Sequence, residues 1–309
     1  MPTTEFVISA LSLGLLLEAL TPNKISTVSY LRGIKNLSIS AFISTVPELY
    51  KLYKEILQRR DDKVRIGYWI MKSVNNIMSN PDIRTNTCLG YLILTIPLVH
   101  TLKYVNDCTN ILLITREATK LVLSEIANED AEDFYNALRT INPSYANKYI
   151  GSIPDIRNRD HVGSTTLLKV FIESSYWDLV IYDVINNYEV TLDVYRFMKN
   201  LCSDEATNIL ECISETQLYL LSKFLDSEVL KGFNPTIATL IKSYSNIIRS
   251  LPNDKIKNLL KNSLDKYLRI NNINTGTLAD ILALATSFTL ITYGTTAPIN
   301  IPGGRDYEY

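Results

Sequence analysis

The stretch 274-NTGTLADILALATSFTLITY-293 decides the fold. It opens on small polar residues, carries one acid, Asp280, and then runs to Tyr293 without another charge. Such a segment belongs in a bilayer or in a protein interior. The continuous apolar part, from Ile281 to Ala285, is far shorter than the roughly 20 residues a membrane-crossing helix needs, and Thr and Ser crowd the remainder. The stretch therefore reads as a core helix, and a helix apolar on every side must be wrapped by other elements.

The rest of the chain supplies the wrapping. Apolar residues recur at three- and four-residue spacing, as in Leu52, Ile56 and Leu57 or Leu112, Leu113, Ala118, Leu121 and Val122, which is helix periodicity. The pattern predicts about eleven helices, over 3–20, 39–58, 63–79, 88–104, 109–127, 130–141, 164–186, 203–231, 235–250, 253–270 and 277–293. Ser203 and Thr277 suit N-caps, Pro235 and Pro252 suit helix entries, and Pro97 predicts a kink inside its helix. Only 188-YEVTLDVY-195 alternates like a strand; one strand makes no sheet, so it is a connector or a helix in disguise. The expected architecture is a single all-α domain over 1–293, followed by a Pro- and Gly-bearing extension over 294–309. The irregular stretch 142–164 is long enough to be a lid, a binding loop or a disordered connection.

Composition narrows the function. Of 309 residues, 46% are hydrophobic and 20% charged, an ordinary folded composition. Lys plus Arg (31) and Asp plus Glu (32) nearly cancel, so the broad positive field of a nucleic-acid binder is missing. Segment 6-FVISALSLGLLLEAL-20 follows Glu5 and contains Glu18, which argues against an export signal. No membrane partner is expected, and a cytoplasmic location is. Cys88, Cys108, Cys202 and Cys212 lack metal-binding spacing and, with only His100 and His161 beside them, read as reduced core residues. Phosphate-loop, dinucleotide and nucleophile-elbow motifs are all missing.

The chemistry gathers at two helix starts. Thr277 followed by Asp280 has the form of a capping box, in which each side chain satisfies a free backbone N–H. A second helix start, 80-NPDIRTNTCLGYLILTIPLV-99, also carries Asn, Thr and Gly, with Arg84 beside them. Helix N-termini favour phosphate, small residues permit close approach, and an arginine adds a bidentate contact; two ordinary capped helices are the plain alternative. Asp178, Asp183 and Asp226 stand in apolar surroundings, where each needs a donor, a cation or water. Any of these acids is a candidate magnesium ligand, since magnesium takes a few carboxylates together with substrate phosphate.

These residues carry a family likeness. The segment 85-TNTCLGYLILTIPL-98 resembles the first signature of the triphosphoribosyl-dephospho-CoA synthase family, and 274-NTGTLADI-281 resembles its closing signature. Between them, 130-DAEDFYNALR-139, 154-PDI-156, 166-TLLKVFIESSYWDLV-180, 186-NNYEVTLDV-194 and 218-LYLLSKFLDSEVLKG-232 are similar to the family's intervening segments in order. The resemblance implies an all-helical transferase that uses ATP and Mg2+ and moves a (tri)phosphoribosyl group to a hydroxyl acceptor such as dephospho-CoA, with release of adenine. It implies a nucleotide site of Arg84, Asn86, Thr87, Gly90, Lys231, Asn274, Gly276 and Thr277, catalytic Asp280, Asp226 and Asp178, and a metal at Asp280 and Asp226. A homo-oligomer is compatible with it. The chain departs from the family at 21-TPNKI-25, where the usual loop has a glycine and a second proline, and after Asp226, where Lys231 and Gly232 stand for a longer basic cluster. Those departures leave a second expectation: a non-catalytic descendant that binds a nucleotide.

Overall fold

The computed structural model describes residues 3–59, 64–124, 128–143, 152–156, 165–203 and 208–294. Most of the 142–164 loop and nearly all of the 294–309 extension lie outside these residues. Among the described residues the chain forms α1 (Thr4–Leu20), α2 (Ile39–Gln58), α3 (Ile66–Ser79), α4 (Leu89–Thr101), α5 (Ile111–Ser124), α6 (Asn128–Ile141) and α7 (Leu167–Ser174), then α8 (Leu179–Ile185), α9 (Glu189–Leu201), α10 (Ile209–Lys223), α11 (Ser227–Gly232), α12 (Pro235–Ser250), α13 (Asp254–Ile270) and α14 (Gly276–Tyr293). There is no strand among them, only two isolated bridges, Ser29 with Arg32 and Ile34 with Leu37. The fold is all-α, as the periodicity requires.

α14 is the axis. It packs against α1, α4, α8, α9, α10 and α11. By length and composition it would qualify as a membrane span, but 72% of its apolar window is buried inside the protein. Its hydroxyl residues cost little there because each donates back along the helix: Thr286 to the Leu282 carbonyl at 2.8 Å, Ser287 to Ala283 at 3.0 Å and Thr289 to Ala285 at 2.9 Å. α1 approaches so closely at Gly14 that a Cβ there would stand 1.9 Å from the Ser287 hydroxyl oxygen. The Tyr91 hydroxyl from α4 joins the same contact, 2.7 Å from Ser287 Oγ and bonded to the Leu11 carbonyl. Three helices that hold much of the chemistry are thus fixed to one another by backbone proximity and a shared hydrogen-bond node.

Two expected long helices are broken and the strand-like 188–195 segment is itself helical, which together raise eleven to fourteen among the described residues. Asp178 is the N-cap of α8, its Oδ1 accepting from Val180 N and Ile181 N at 3.0 and 3.2 Å. Asp226 caps α11 in the same manner, accepting from Val229 N at 2.9 Å. A short acid with its carboxylate over the next turn competes with a continuing helix, and apolar periodicity on both sides hides the break. Asp178 and Asp183 consequently do not share a helix face: Asp178 precedes α8, whereas Asp183 is wholly buried and receives Val190 N, Thr191 N and the Thr191 hydroxyl. That acceptor starts α9, so the strand-like 188–195 segment is helix entered from Tyr188 in a left-handed conformation, φ 57°.

Other corrections are local. The N-cap of α10 is Asn208 rather than Ser203. Pro97 lies inside α4 without ending it, and the Tyr188 hydroxyl donates to the neighbouring Leu94 carbonyl at 2.8 Å. Cys202 and Cys212, with Cα atoms 6.1 Å apart, are paired as a disulfide, contrary to the expectation of four reduced thiols; the spacing in sequence gives no hint that the α9 and α10 ends meet. Cys88 is buried and Cys108 half-buried, both apart from this disulfide.

Candidate functional site

The starts of α4 and α14, nearly two hundred residues apart in sequence, open into one cleft of about 290 Å³. Asn86, Thr87, Gly90, Asp178, Lys231, Asn274, Gly276, Thr277 and Asp280 all line it. Two glycines show how tightly it is assembled. A Cβ on Gly90 would lie 2.2 Å from Asp280 Oδ2, and one on Gly276 would lie 2.2 Å from Glu228 Oε2. Their role is to admit these carboxylates, where the sequence suggested room for phosphate.

The capping box does not form. Thr275 is the N-cap of α14 and makes no side-chain cap bond. Thr277 instead accepts from Glu228 N at 3.1 Å, and Asp226 Oδ2 accepts from Leu278 N at 3.0 Å. Asp280 faces α4, where it takes the Tyr91 backbone N–H. Tertiary neighbours have supplied the partners that local chemistry would otherwise provide. α11 is the bracket that does this: Asp226 reaches α14, while Ser227 Oγ accepts from Leu179 N of α8 at 2.7 Å. The first amides of α4 are likewise engaged, Cys88 N and Leu89 N with Asn86 Oδ1 at 3.3 and 3.0 Å. The two mouths therefore present acids and amide side chains to the cleft.

Several site residues escaped the sequence reading. Glu18 of α1 lines the cleft, buried in an ion pair with Lys24. Burial lowers the Lys24 pKa and raises that of Glu18, against their mutual attraction. The only sequence signal for Glu18 was an acid inside an apolar helix. Lys35 and Asn36, from the bridged turn between Ile34 and Leu37, reach the cleft from above α11, and Lys35 pairs with Glu228 at 3.2 Å. Asn274 donates to the same carboxylate at 3.2 Å. Lys231 pairs with Asp178 at 2.5 Å. Arg84, by contrast, is exposed and does not line the cleft, and Asp226 stands one layer behind it, 2% exposed.

The loop after α1, which departs from the expected Pro-Gly pattern, is nonetheless anchored against this site. Gln217 of α10 clamps Ile25 twice, accepting from its N–H at 2.7 Å and donating to its carbonyl at 3.0 Å. Asp265 of α13 accepts from Ser26 N at 2.7 Å, and Thr275 N donates to the Ser26 carbonyl at 3.2 Å. Asn23 and Ser26 hold left-handed backbone, φ 56° and 54°. Side chains from α10 and α13 thus fix what proline and glycine would otherwise shape.

Asp280 is the electrostatic focus. It borders the cleft on one side, and protein surrounds it on the others. Desolvation holds its carboxyl well above the usual carboxylate range, and Glu18, Glu228 and Asp226 push the same way, with only the Tyr91 N–H opposing. No ion pair to it is present among the described residues. Asp226 is pushed up to about 7 by burial first and Glu228 second. Glu18, Asp178, Glu228 and Asp280 line the cleft with Lys35 and Lys231, while Asp226 and Lys24 stand behind them, so among the described residues negative charge is in excess when all are ionised.

The sequence profile of the ATP:dephospho-CoA triphosphoribosyl transferase (CitG) family matches residues 4–296. The chain belongs to this family. The crystal structure of a candidate triphosphoribosyl-dephospho-CoA synthase from Archaeoglobus fulgidus is similar in fold, with a TM-score of 0.61 and 18% sequence identity over 82% of this chain and 99% of that one. No curated protein is similar enough to count as a match. The CitG family match spans α1 to α14 and therefore every element that borders the cleft.

Proposed function

We propose that the cleft binds ATP and dephospho-CoA and transfers the triphosphoribosyl group to an acceptor hydroxyl, with adenine leaving. The observation that carries this reading is the convergence of the two glycine-started helices on Asp280. In the reaction the bond between ribose C1′ and adenine breaks, a bond from the acceptor oxygen to C1′ forms, and the hydroxyl proton must be taken up. Asp280, in its ionised form, is placed at the cleft to take that proton, and desolvation and three acidic neighbours favour the protonated carboxyl that results. The departing adenine then receives it. As charge builds on the ribose in a bond-breaking transition state, the acidic surroundings stabilise it electrostatically.

The remaining residues bind and orient. Lys35 and Lys231 are the cations at the rim for phosphate oxygens, and Asn274, Asn86 and Thr87 offer neutral hydrogen bonds. Asp226 acts through position: it ties the first turn of α14 to α11 and so fixes where Asp280 stands. The donor set fits magnesium, because Asp280 has no cation partner among the described residues and the cleft carries excess negative charge that a polyphosphate would aggravate. Among the described residues no group of three or more His, Cys, Asp or Glu is arranged to hold a metal alone, which suits an ion that takes one or two carboxylates and completes its shell with phosphate and water. Asp280 and Glu228 would hold it rather than the expected Asp280 and Asp226, since Asp226 stands behind the cleft with both oxygens on backbone N–H groups, and its chemistry would be neutralisation of the triphosphate.

The test is direct. Purified protein with ATP, Mg2+ and dephospho-CoA is expected to release free adenine and form a product heavier than the acceptor by a triphosphoribosyl group, both read by liquid chromatography and mass spectrometry. ATP binding without adenine release for any hydroxyl acceptor would replace this reading with that of a nucleotide-binding descendant.

A further inference from the structure

A second cavity, of about 470 Å³, lies beside the first. The two share four wall residues: Leu89 and Ile93 of α4, Asp178 and Lys231. The Asp178–Lys231 ion pair, 2.5 Å long and partly exposed, therefore stands on the divide. Beyond it the character of the walls changes. Phe134, Tyr135 and Leu138 of α6, Val170 of α7, Trp177 and Phe233 make an apolar, aromatic chamber, whereas the first cavity mixes acids, lysines and amides with apolar residues such as Leu15 and Phe42. The segment carrying Ile153, Pro154 and Ile156 closes one side, held by the Tyr135 hydroxyl on the Pro154 carbonyl and by Arg139 Nε on the Ile156 carbonyl, each at 2.7 Å. An apolar chamber of this size whose charged lining residues, Asp178 and Lys231, stand at the shared wall is built for a ligand portion that is itself weakly polar.

We infer that this chamber seats the pantetheine arm of the acceptor, with Lys231 receiving the diphosphate that joins the arm to the nucleoside. The choice of ligand rests on the transferase reading above. Dephospho-CoA reacts through its ribose, so its long amide-linked arm must leave the polar cleft, and the wall shared by the two cavities carries a cation at the crossing. Asp178 is then a positioning residue: it caps α8 through Oδ1 and orients Lys231 through Oδ2. The arm, rather than the adenosine common to both substrates, distinguishes acceptor from donor.

Leu138→Trp and Ile156→Trp fill the chamber from two different walls, and titration calorimetry with 4′-phosphopantetheine and with ATP reads the two cavities separately. The expected result is that the wild-type protein binds both, while each filled variant loses phosphopantetheine affinity at least tenfold and keeps its ATP affinity within about twofold. In turnover the same variants raise KM for dephospho-CoA and leave KM for ATP unchanged. Phosphopantetheine binding absent in the wild type, equal in the filled variants, or lost together with ATP binding in both overturns the assignment. If the arm-specific loss appears but no adenine is ever released, the chamber stands and the transferase reading falls.

Discussion

Replacing Gly90 by alanine tests whether that glycine exists to admit Asp280. The new Cβ would stand 2.2 Å from Asp280 Oδ2, 3.0 Å from its Cγ and 3.3 Å from Val180 Cγ2. The carboxylate is the end of a short side chain with its own partner, the Tyr91 N–H, so turning it away costs a hydrogen bond as well as space. Overpacking of this kind costs about 1–3 kcal/mol, and alanine returns at most about 1 kcal/mol of helix propensity. The net expectation is a loss of about 1–2 kcal/mol. For 309 residues an unfolding entropy of about 2 cal/mol/K per residue turns that into a fall in Tm of about 2–3 °C. The same substitution in an Asp280→Ala background meets only Val180 at 3.3 Å, a contact that yields by a few tenths of an ångström. There Gly90→Ala becomes neutral or mildly stabilising. The double-mutant cycle, read by calorimetry or by denaturant midpoints at constant slope, is expected to give a coupling of about 2 kcal/mol. Additive single effects, with Gly90→Ala equally harmful in both backgrounds, would refute the reasoning.

Asp280→Asn is expected to lower adenine release by at least about a hundredfold while leaving Tm unchanged or raised, because the native acid is half-buried beside three others; unimpaired turnover would remove it from the mechanism. Asp226 governs a pH dependence. Its pKa is pushed up to about 7 in the folded protein, against about 4 unfolded, so its contribution to stability is fully present below pH 4 and is lost as pH rises through 7. Asp226→Asn should flatten the decline of the urea midpoint across that window, and an unchanged slope would count against it. Gln217→Ala strands the Ile25 N–H and leaves its carbonyl only the longer Thr275 hydroxyl contact at 3.3 Å, at about 1–3 kcal/mol for the stranded group. Its expected signature is a fall in Tm together with faster proteolysis between Thr21 and Leu37; protection equal to the wild type would show that the Asp265 and Thr275 bonds hold the loop without Gln217.

The architecture was legible because burial writes itself into local pattern. Helix periodicity identified the interior helices, and the uncharged run after Asp280 marked α14 as their axis. Nine of the cleft residues were legible too: six from two Asn–Thr–Gly helix starts, Asp178 and Asp280 as acids beside apolar runs, and Lys231 through the family likeness. The breaks at Asp178 and Asp226 were not, because an acid that caps a new helix and an acid on the polar face of an old one look alike in a single sequence. Glu18, Lys24, Lys35 and Glu228 were missed for a related reason: each is ordinary in its own segment and becomes part of a site only through partners far along the chain.

By itself, then, the amino-acid order determined an all-helical protein with a buried apolar axis and two small-residue helix starts, since helix propensity and burial act over one or two turns. Tertiary structure alone decided that Asp280 lies against Gly90, that Glu228 lies against Gly276, and that Asp178 and Lys231 divide a polar cleft from an apolar chamber. Those pairings depend on desolvation and on charges brought together from remote segments, energies that no local window of sequence contains.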